Sequence, residues 1–399
     1  MNDDAHSPQT GVKRLPAWLG WGAAGSAALL SCGAGLRNAL SHSQDFQWSP
    51  ARLLLTGTDP FAVWLSGDAG SQIILTQTPN YAHLLYLLLL PFGALPWTAA
   101  KALWAGANLL LTLLGCWLMA RGARNSRTAL LAVLCVFLVS TPLRVAIGNG
   151  QQVLLSLFCL YLGWTLPRTL SAAFFLAIGF SKYTFVLPYA LWLLLERRVA
   201  RLAGAVAILC AGWLVFSALT ARPPLMTALE PIQVGVRAVG LGIADVMSLS
   251  NAAHLDRIAF PGVGAVLGLL CATFLIVMVK DALKRMSETE RFAALGLIAL
   301  MSFVHLSYDF VYLLPMAFSL GNLPAGRRWM VAGGIAYFWF FLKLIDMVWA
   351  PGNGAPWIIT SWCVELGMLC AFTGALLPGT RNSPVPAVGT VVPYPSLRQ

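Results

Sequence analysis

Four places in this sequence carry side chains able to do chemistry within an otherwise apolar chain. The sharpest is Lys182, in Gly179-Phe180-Ser181-Lys182-Tyr183, between two apolar half-runs and with Pro188 following. An ammonium at membrane depth is costly unless it is paired or hydrated. A helix break there predicts backbone N–H groups beside the ammonium, a combination suited to a phosphate. A lysine snorkelling from a helix end is the plainer alternative. Asp45, followed by Phe46, sits just after the first apolar run. A carboxylate there is placed to take a proton from a hydroxyl nucleophile, although a lone loop aspartate is more often an ordinary surface charge. His305 and Asp309 interrupt a late apolar run at a spacing of four, which on a helix puts them on one face. The carboxylate is then placed to orient the imidazole, and both to contact a sugar or phosphate, with a structural polar pair as the alternative. Gly148-Asn149-Gly150-Gln151-Gln152 combines a glycine turn with amides able to bind hydroxyls.

Apolar segments must position these groups. The chain has 399 residues, 58% hydrophobic and only 10% charged, against about 25% charged in a soluble domain. A membrane crossing needs about 20 apolar residues, and candidate crossings occupy 16–40, 97–120, 128–146, 201–220, 259–280, 329–348 and 357–378. Residues 150–195 read as three short crossings, 150–166, 169–181 and 183–195, and 291–322 as two, broken at His305 to Asp309. Residues 81–95, followed at once by Pro96-Trp97, read as a re-entrant arm. The expectation is one all-α polytopic membrane domain over 1–379 with about twelve crossings, and a polar, Pro-rich disordered cytoplasmic tail at 380–399.

Charge sets the direction of these crossings. Most of the 26 Lys and Arg residues fall in short clusters, among them Lys13-Arg14, Arg121/Arg124/Arg127, Arg197-Arg198/Arg201, Lys280/Lys284/Arg285 and Arg327-Arg328. Clusters of this kind stay cytoplasmic. They place both termini inside and leave 41–80 and 221–258 as two large outer loops. The net charge of +11 is therefore spread between crossings and not gathered into a nucleic-acid-binding patch. Arg37, Arg52, Lys101, Arg144, Lys182, Arg222, Arg237, Arg257 and Lys343 fall on the outer side, against that bias. Asp45, Asp59, Asp68, Glu230, Asp245, Asp256, His305 and Asp309 share it. A polar cavity at the outer face would collect part of both sets, with ordinary solvated loop charge accounting for the rest.

The eight cysteines are scattered, with no CxxC pair, and read as small apolar residues. There is no GxxxxGK[ST], HExxH or GxSxG element and no acidic cluster with metal-ligand spacing. The expectation is a protein with no metal, no cofactor and no nucleotide hydrolysis.

The order of these elements resembles the polyprenol-phosphate-sugar-dependent membrane glycosyltransferases of the GT-C class, and most closely glycosyltransferase family 87, which includes α-mannosyltransferases. The resemblance rests on Asp45-Phe46, then Leu54-Leu55-Thr56-Gly57-Thr58-Asp59-Pro60-Phe61, then Tyr81 and Leu90-Pro91-Phe92-Gly93-Ala94-Leu95-Pro96 with Trp104. Gly150-Gln151 opens a helix, Ala177 to Lys182 follows with Pro188, and Glu196-Arg197-Arg198 closes that stretch. His305 to Pro315 stands where the family has a late polar motif, while Asn80-Tyr81-Ala82-His83 departs from the family's tyrosine and paired prolines. The resemblance implies a GT-C-like fold with a large first periplasmic loop. It implies transfer of a hexose, with mannose the expected sugar, from a polyprenyl-phosphate donor to a lipid or glycan acceptor at the periplasmic face of a bacterial inner membrane, with inversion. Asp45 would be the general base. Lys182, with Arg52 or Arg144, would hold the donor phosphate, and Asp59, Gln151, His305, Asp309 and Tyr81 would contact substrate. A transporter or flippase of lipid-linked sugars is the competing reading; against it stand the lack of visible duplicated halves and the large loop carrying Asp45.

Overall fold

A computed structural model describes residues 17–67, 70, 72–240, 263–342 and 354–374. The expected tail at 380–399, part of the 221–258 loop, and the charges at Lys13, Arg14, Asp68, Asp245, Asp256, Arg257 and Lys343 lie outside the described residues. The described chain is helical, with no strand. Four helices are long and apolar enough to cross a membrane: α1 (Ala17–Ser41), α5 (Trp97–Gly122), α11 (Val199–Leu219) and α14 (Val263–Arg285). Two bent pairs raise the number to six if each is one span. The first is α6 (Arg127–Val139) with α7 (Thr141–Gly148), the second α9 (Thr169–Gly179) with a 3-10 turn and α10 (Val186–Leu195).

Each break has a local cause. Ser140 ends α6 and its hydroxyl caps α7 by accepting from the Leu143 N–H, while Pro142 has no N–H to continue a ladder. The 128–146 segment, expected as one crossing, is thus bent by 62°. In the second pair the chain turns by 114° at Phe180 to Lys182. At 11 residues, α9 is about 16 Å long, short of the ~30 Å hydrocarbon core.

The segment 41–80 is not a plain loop. It contains α2 (Trp48–Leu55) and α3 (Pro60–Ser66). Asp59 caps α3 by accepting from the N–H groups of Phe61 and Ala62, with Pro60 at the first helical position. The next helix, α4 (His83–Gly93), is tied down at both ends. The Ala82 N–H donates to the Ser181 carbonyl, and Gly93 packs so closely on Ala51 and Arg52 that a Cβ would stand 2.9 Å from their backbone.

The remaining elements are α8 (Val153–Thr165), the short α12 (Pro224–Thr227), α13 (Glu230–Gly240), α15 (Glu288–Ser302), a 3-10 turn with α16 (Leu314–Ser319), α17 (Ala325–Ala336) and α18 (Gly354–Thr373). The last twelve residues of α15 are all buried, so this helix forms the centre of the bundle. Outer helices instead expose large apolar side chains, among them Leu30, Leu170, Phe274 and Val277. Water would penalise that surface at about 25 cal/mol per Å²; hydrocarbon does not, and the surface marks a membrane-associated protein.

The basic clusters collect at one end of the bundle. There Arg291 pairs with Glu196 at 2.6 Å, Arg198 with Glu288 at 2.5 Å, the Trp164 indole N–H donates to the Glu288 carbonyl, and the Asn125 side-chain amide donates to the Phe318 carbonyl. Asp45, Gln151, Lys182 and Asp309 collect at the opposite end. The chain reaches this end after α7, returns along α8, comes back along α9 and leaves again along α10, which places the Gly150 turn beside the 181–182 break.

Candidate active site

A cavity of about 250 Å³ opens at the end opposite the basic clusters. Asp45, Thr76, Tyr81, Gln151, Lys182, His305 and Asp309 line it. Asp45 is positioned from both sides. Its backbone N–H donates to the Asn149 carbonyl at 2.9 Å, and the neighbouring Phe46 ring stacks on Trp104, whose indole N–H donates to the Gly150 carbonyl. Gly150 has φ +69°, and a Cβ there would stand 2.7 Å from that of Phe46, so this contact requires glycine.

Both carboxylate oxygens of Asp45 accept side-chain hydrogen bonds. The Gln151 amide donates to Oδ2 at 2.5 Å and the Thr76 hydroxyl to Oδ1 at 2.6 Å. An oxygen of this kind has a second lone pair, which leaves Asp45 capacity to accept a proton. Burial pushes the Asp45 carboxyl above the usual range, against the bonds from Thr76, Gln151 and Asn149 and the Lys182 charge, which pull it down. A carboxylate raised in this way is a better base near neutral pH.

Lys182 is not a snorkelling residue. It is buried, forms an ion pair with Asp309 at 2.9 Å, and lies within 5.2–5.8 Å of the rings of Tyr81, Phe185 and Tyr308. Aromatic faces attract the ammonium and exclude water from it. The expected free backbone N–H groups are not found at the break, because the Phe180, Ser181 and Lys182 N–H groups donate to the carbonyls of Leu176, Ile178 and Gly179. Of the groups at this break, the ammonium is the one able to attract an anion.

His305 and Asp309 share the cavity but not a helical face. Residue 305 lies ahead of the 3-10 turn Ser307–Leu313, and Asp309 turns back to accept from the Leu306 N–H at 3.0 Å. Asp309 is thus the partner of Lys182 and no orienter of the imidazole. Burial pushes the His305 imidazole down, and its Nε2 has no hydrogen-bond partner among the described residues. His305 thus brings a neutral ring to the cavity lining.

Three sequence-derived candidates fall elsewhere. Arg52 lies over the Trp48 ring and donates weakly to the Gly93 carbonyl. Arg144 is exposed on α7. Asp59 caps α3 and pairs with Arg222, which also holds Glu230 at 2.6 Å. None of the three lines the cavity. Conversely, Thr76 bonds directly to Asp45, although nothing in the Ile73-Ile74-Leu75-Thr76 stretch distinguishes it by type or spacing.

A carboxylate with spare basicity and a caged ammonium, facing one cavity at the end of an apolar helical bundle, define a membrane protein equipped for polar chemistry beside the lipid. The sequence model of glycosyltransferase family 87 matches residues 81–307, more than half of the chain, and the chain belongs to that family. The matched span holds Gln151, Lys182 and His305, while Asp45 and Asp309 flank it. No curated protein matches the chain, and no solved structure does. Membership makes this protein a membrane glycosyltransferase and speaks against the transporter reading.

Proposed function

We propose that the protein transfers a hexose, with mannose the expected sugar, from a polyprenyl-phosphate donor to a lipid or glycan acceptor, and inverts the anomeric centre. The observation that carries this reading is the placement of Asp45 and Lys182 on one cavity, each held by its own partners. The acceptor hydroxyl gives its proton to Asp45 as its oxygen attacks the anomeric carbon. The bond from that carbon to the phosphate oxygen breaks, and the electron pair leaves with the polyprenyl phosphate. Lys182 stabilises the charge that develops there. Direct displacement inverts the centre and needs no second carboxylate nucleophile. Gln151 and Thr76 hold the base, and Tyr81, His305 and Asp309 stand where sugar hydroxyls would meet them.

In this reading the fold is of the GT-C type. Every leg that runs between the two ends of the bundle counts as a crossing, with the short legs packed around α15, which gives about twelve. The basic clusters lie in the cytoplasm, and the cavity faces the periplasm across a bacterial inner membrane.

The test is transfer of labelled mannose from polyprenyl-phosphate-mannose to a membrane lipid extract by the purified protein in nanodiscs. Asp45→Asn is expected to lower the rate by about 10²–10⁴-fold with unchanged thermal unfolding. Transfer that persists in Asp45→Asn would remove Asp45 as the base. No transfer from any polyprenyl-phosphate sugar would overturn the donor class.

A further inference from the structure

After α11 the chain does not run out into the medium. It folds back along the end of that helix. The Trp213 indole N–H donates to the Pro224 carbonyl at 3.1 Å and to the Thr227 hydroxyl at 3.0 Å, and the Ser217 and Thr227 hydroxyls are 2.6 Å apart. Trp213 and Ser217 lie about 9 and 3 Å before the end of α11 at Leu219. At 21 residues α11 is about 31 Å long, a match to the ~30 Å hydrocarbon core. The short α12 therefore sits level with the last turns of a spanning helix, inside the edge of the core.

The outward face of this segment is apolar. Leu225, Met226, Leu229 and Ile232 are all exposed, and Leu225, at 88%, is the most exposed large apolar side chain among the described residues. Leu225, Leu229 and Ile232 recur at the spacing of one helical face across α12 and the start of α13. Glu230 is the one charged residue between 223 and 236. It is turned inward and buried against Arg222, which also holds Asp59. On the adjoining turns of α11, Leu214, Val215 and Leu219 are exposed as well.

The inward face belongs to the cavity. Val236 lines it, and so does Ile232, which is exposed and therefore stands at its mouth. The Tyr183 hydroxyl donates to the Pro231 carbonyl at 2.9 Å, and a Cβ at Gly235 would stand 2.5 Å from that hydroxyl. α13 is thus fixed to the residue that follows Lys182.

We infer that α12 and the first turns of α13 are a membrane anchor, with Leu225, Met226, Leu229 and Ile232 seated among the acyl chains of the leaflet on the cavity side. The bilayer is the partner on three grounds: the depth set by Trp213 and Ser217, the lack of charge on the outward face, and its continuity with the lipid-facing turns of α11. A soluble partner would have to reach below the head groups to cover it. The anchor holds one wall of the cavity, and through Tyr183 the neighbour of Lys182, at a fixed height in the lipid. The inference is independent of the sugar transferred and of turnover.

The experiment is photolabelling of the full chain in nanodiscs doped with a phosphatidylcholine that carries a diazirine midway along one acyl chain. Labelled residues are located by mass spectrometry, and a water-soluble diazirine is used in parallel. Leu225 and Leu229 should take the acyl label as Val215 does and should take none from water. In the double variant Leu225→Glu/Leu229→Glu, Met226 and Ile232 should lose the acyl label and gain the aqueous one, while Val215 keeps its own. Aqueous labelling of Leu225 and Leu229 in wild type would overturn the proposal. So would labelling from neither side, which would mean that another protein surface covers them. Acyl labels unchanged at Met226 and Ile232 in the double variant would reduce the contact to an incidental one and remove the anchor.

Discussion

Gln151 stands between Asp45 and Tyr81: its amide nitrogen donates to the Asp45 carboxylate at 2.5 Å, and its amide oxygen accepts from the Tyr81 hydroxyl at 3.3 Å. Asp45 is thereby tied to the tyrosine whose ring lies against Lys182. Loss of the amide removes a bond that favours the charged form of Asp45. In Gln151→Ala, kcat/KM should fall by about tenfold, as for a hydrogen bond to a charged group. The acid limb of its pH profile should move to higher pH. In wild type that limb should already lie above the ordinary aspartate value, because burial raises Asp45 and the proposed reaction needs its ionised form. A pH–rate profile of each protein checks both shifts, and an unmoved limb in Gln151→Ala would break the link between the amide and the base.

The Lys182–Asp309 pair makes a prediction that separates stability from activity. Asp309 is 1% exposed, so Lys182→Met leaves a carboxylate buried without its cation, at a cost of about 3–5 kcal/mol. Removing both charges in Lys182→Met/Asp309→Leu should recover most of that stability. It should not recover transfer, since in the proposed reaction nothing then balances the leaving phosphate. Thermal unfolding and the transfer assay, run on the single and double variants, give the two readouts.

Gly150 allows the closest backbone approach in the site. A methyl group at Gly150→Ala meets Phe46 at 2.7 Å in a backbone conformation with φ +69°. The variant should lose about 1–3 kcal/mol and should also lose activity, because the turn carries both the Asn149 carbonyl that fixes Asp45 and the amide of Gln151. Denaturant unfolding and kcat measured together test this. A fully active Gly150→Ala would mean that the turn relaxes without moving Asp45.

Glu230 and Asp59 share Arg222 where α13 meets the first-loop helices. Burial first, and then the Asp59 charge, raise the Glu230 carboxyl from 4.5 to about 7. A carboxyl raised by folding favours the folded contact most when protonated, so this contribution is full below about 4.5 and is lost as pH rises through about 7. Hydrogen exchange over 230–240, corrected for intrinsic rates, should slow as pH falls from about 8 to 5. Glu230→Gln should flatten that dependence. A pH dependence equal in both proteins would assign it to other groups.

The sequence by itself determined the apolar helical character of the chain, the break at Phe180 to Lys182, the Gly148 to Gly150 turn and the candidate groups at Asp45, Gln151, Lys182 and Asp309. These are local properties. Hydropathy follows from residue type over about 20 positions, glycine and proline interrupt a helix where they stand, and a charge within an apolar run is visible because it is costly there. The tertiary structure alone decided which group answers which. His305 and Asp309 suggested a helical pair, but the backbone enters a 3-10 turn and gives Asp309 to Lys182, a partner on a distant segment. Thr76 became a partner of Asp45 although its surroundings carry no signal. Arg52 and Arg144 were as cationic as Lys182, yet α2 and α7 direct them away from the cavity. Periodicity fixes which face of a helix is apolar, whereas the neighbour met by that face depends on packing between segments remote in the chain, and no local pattern encodes it.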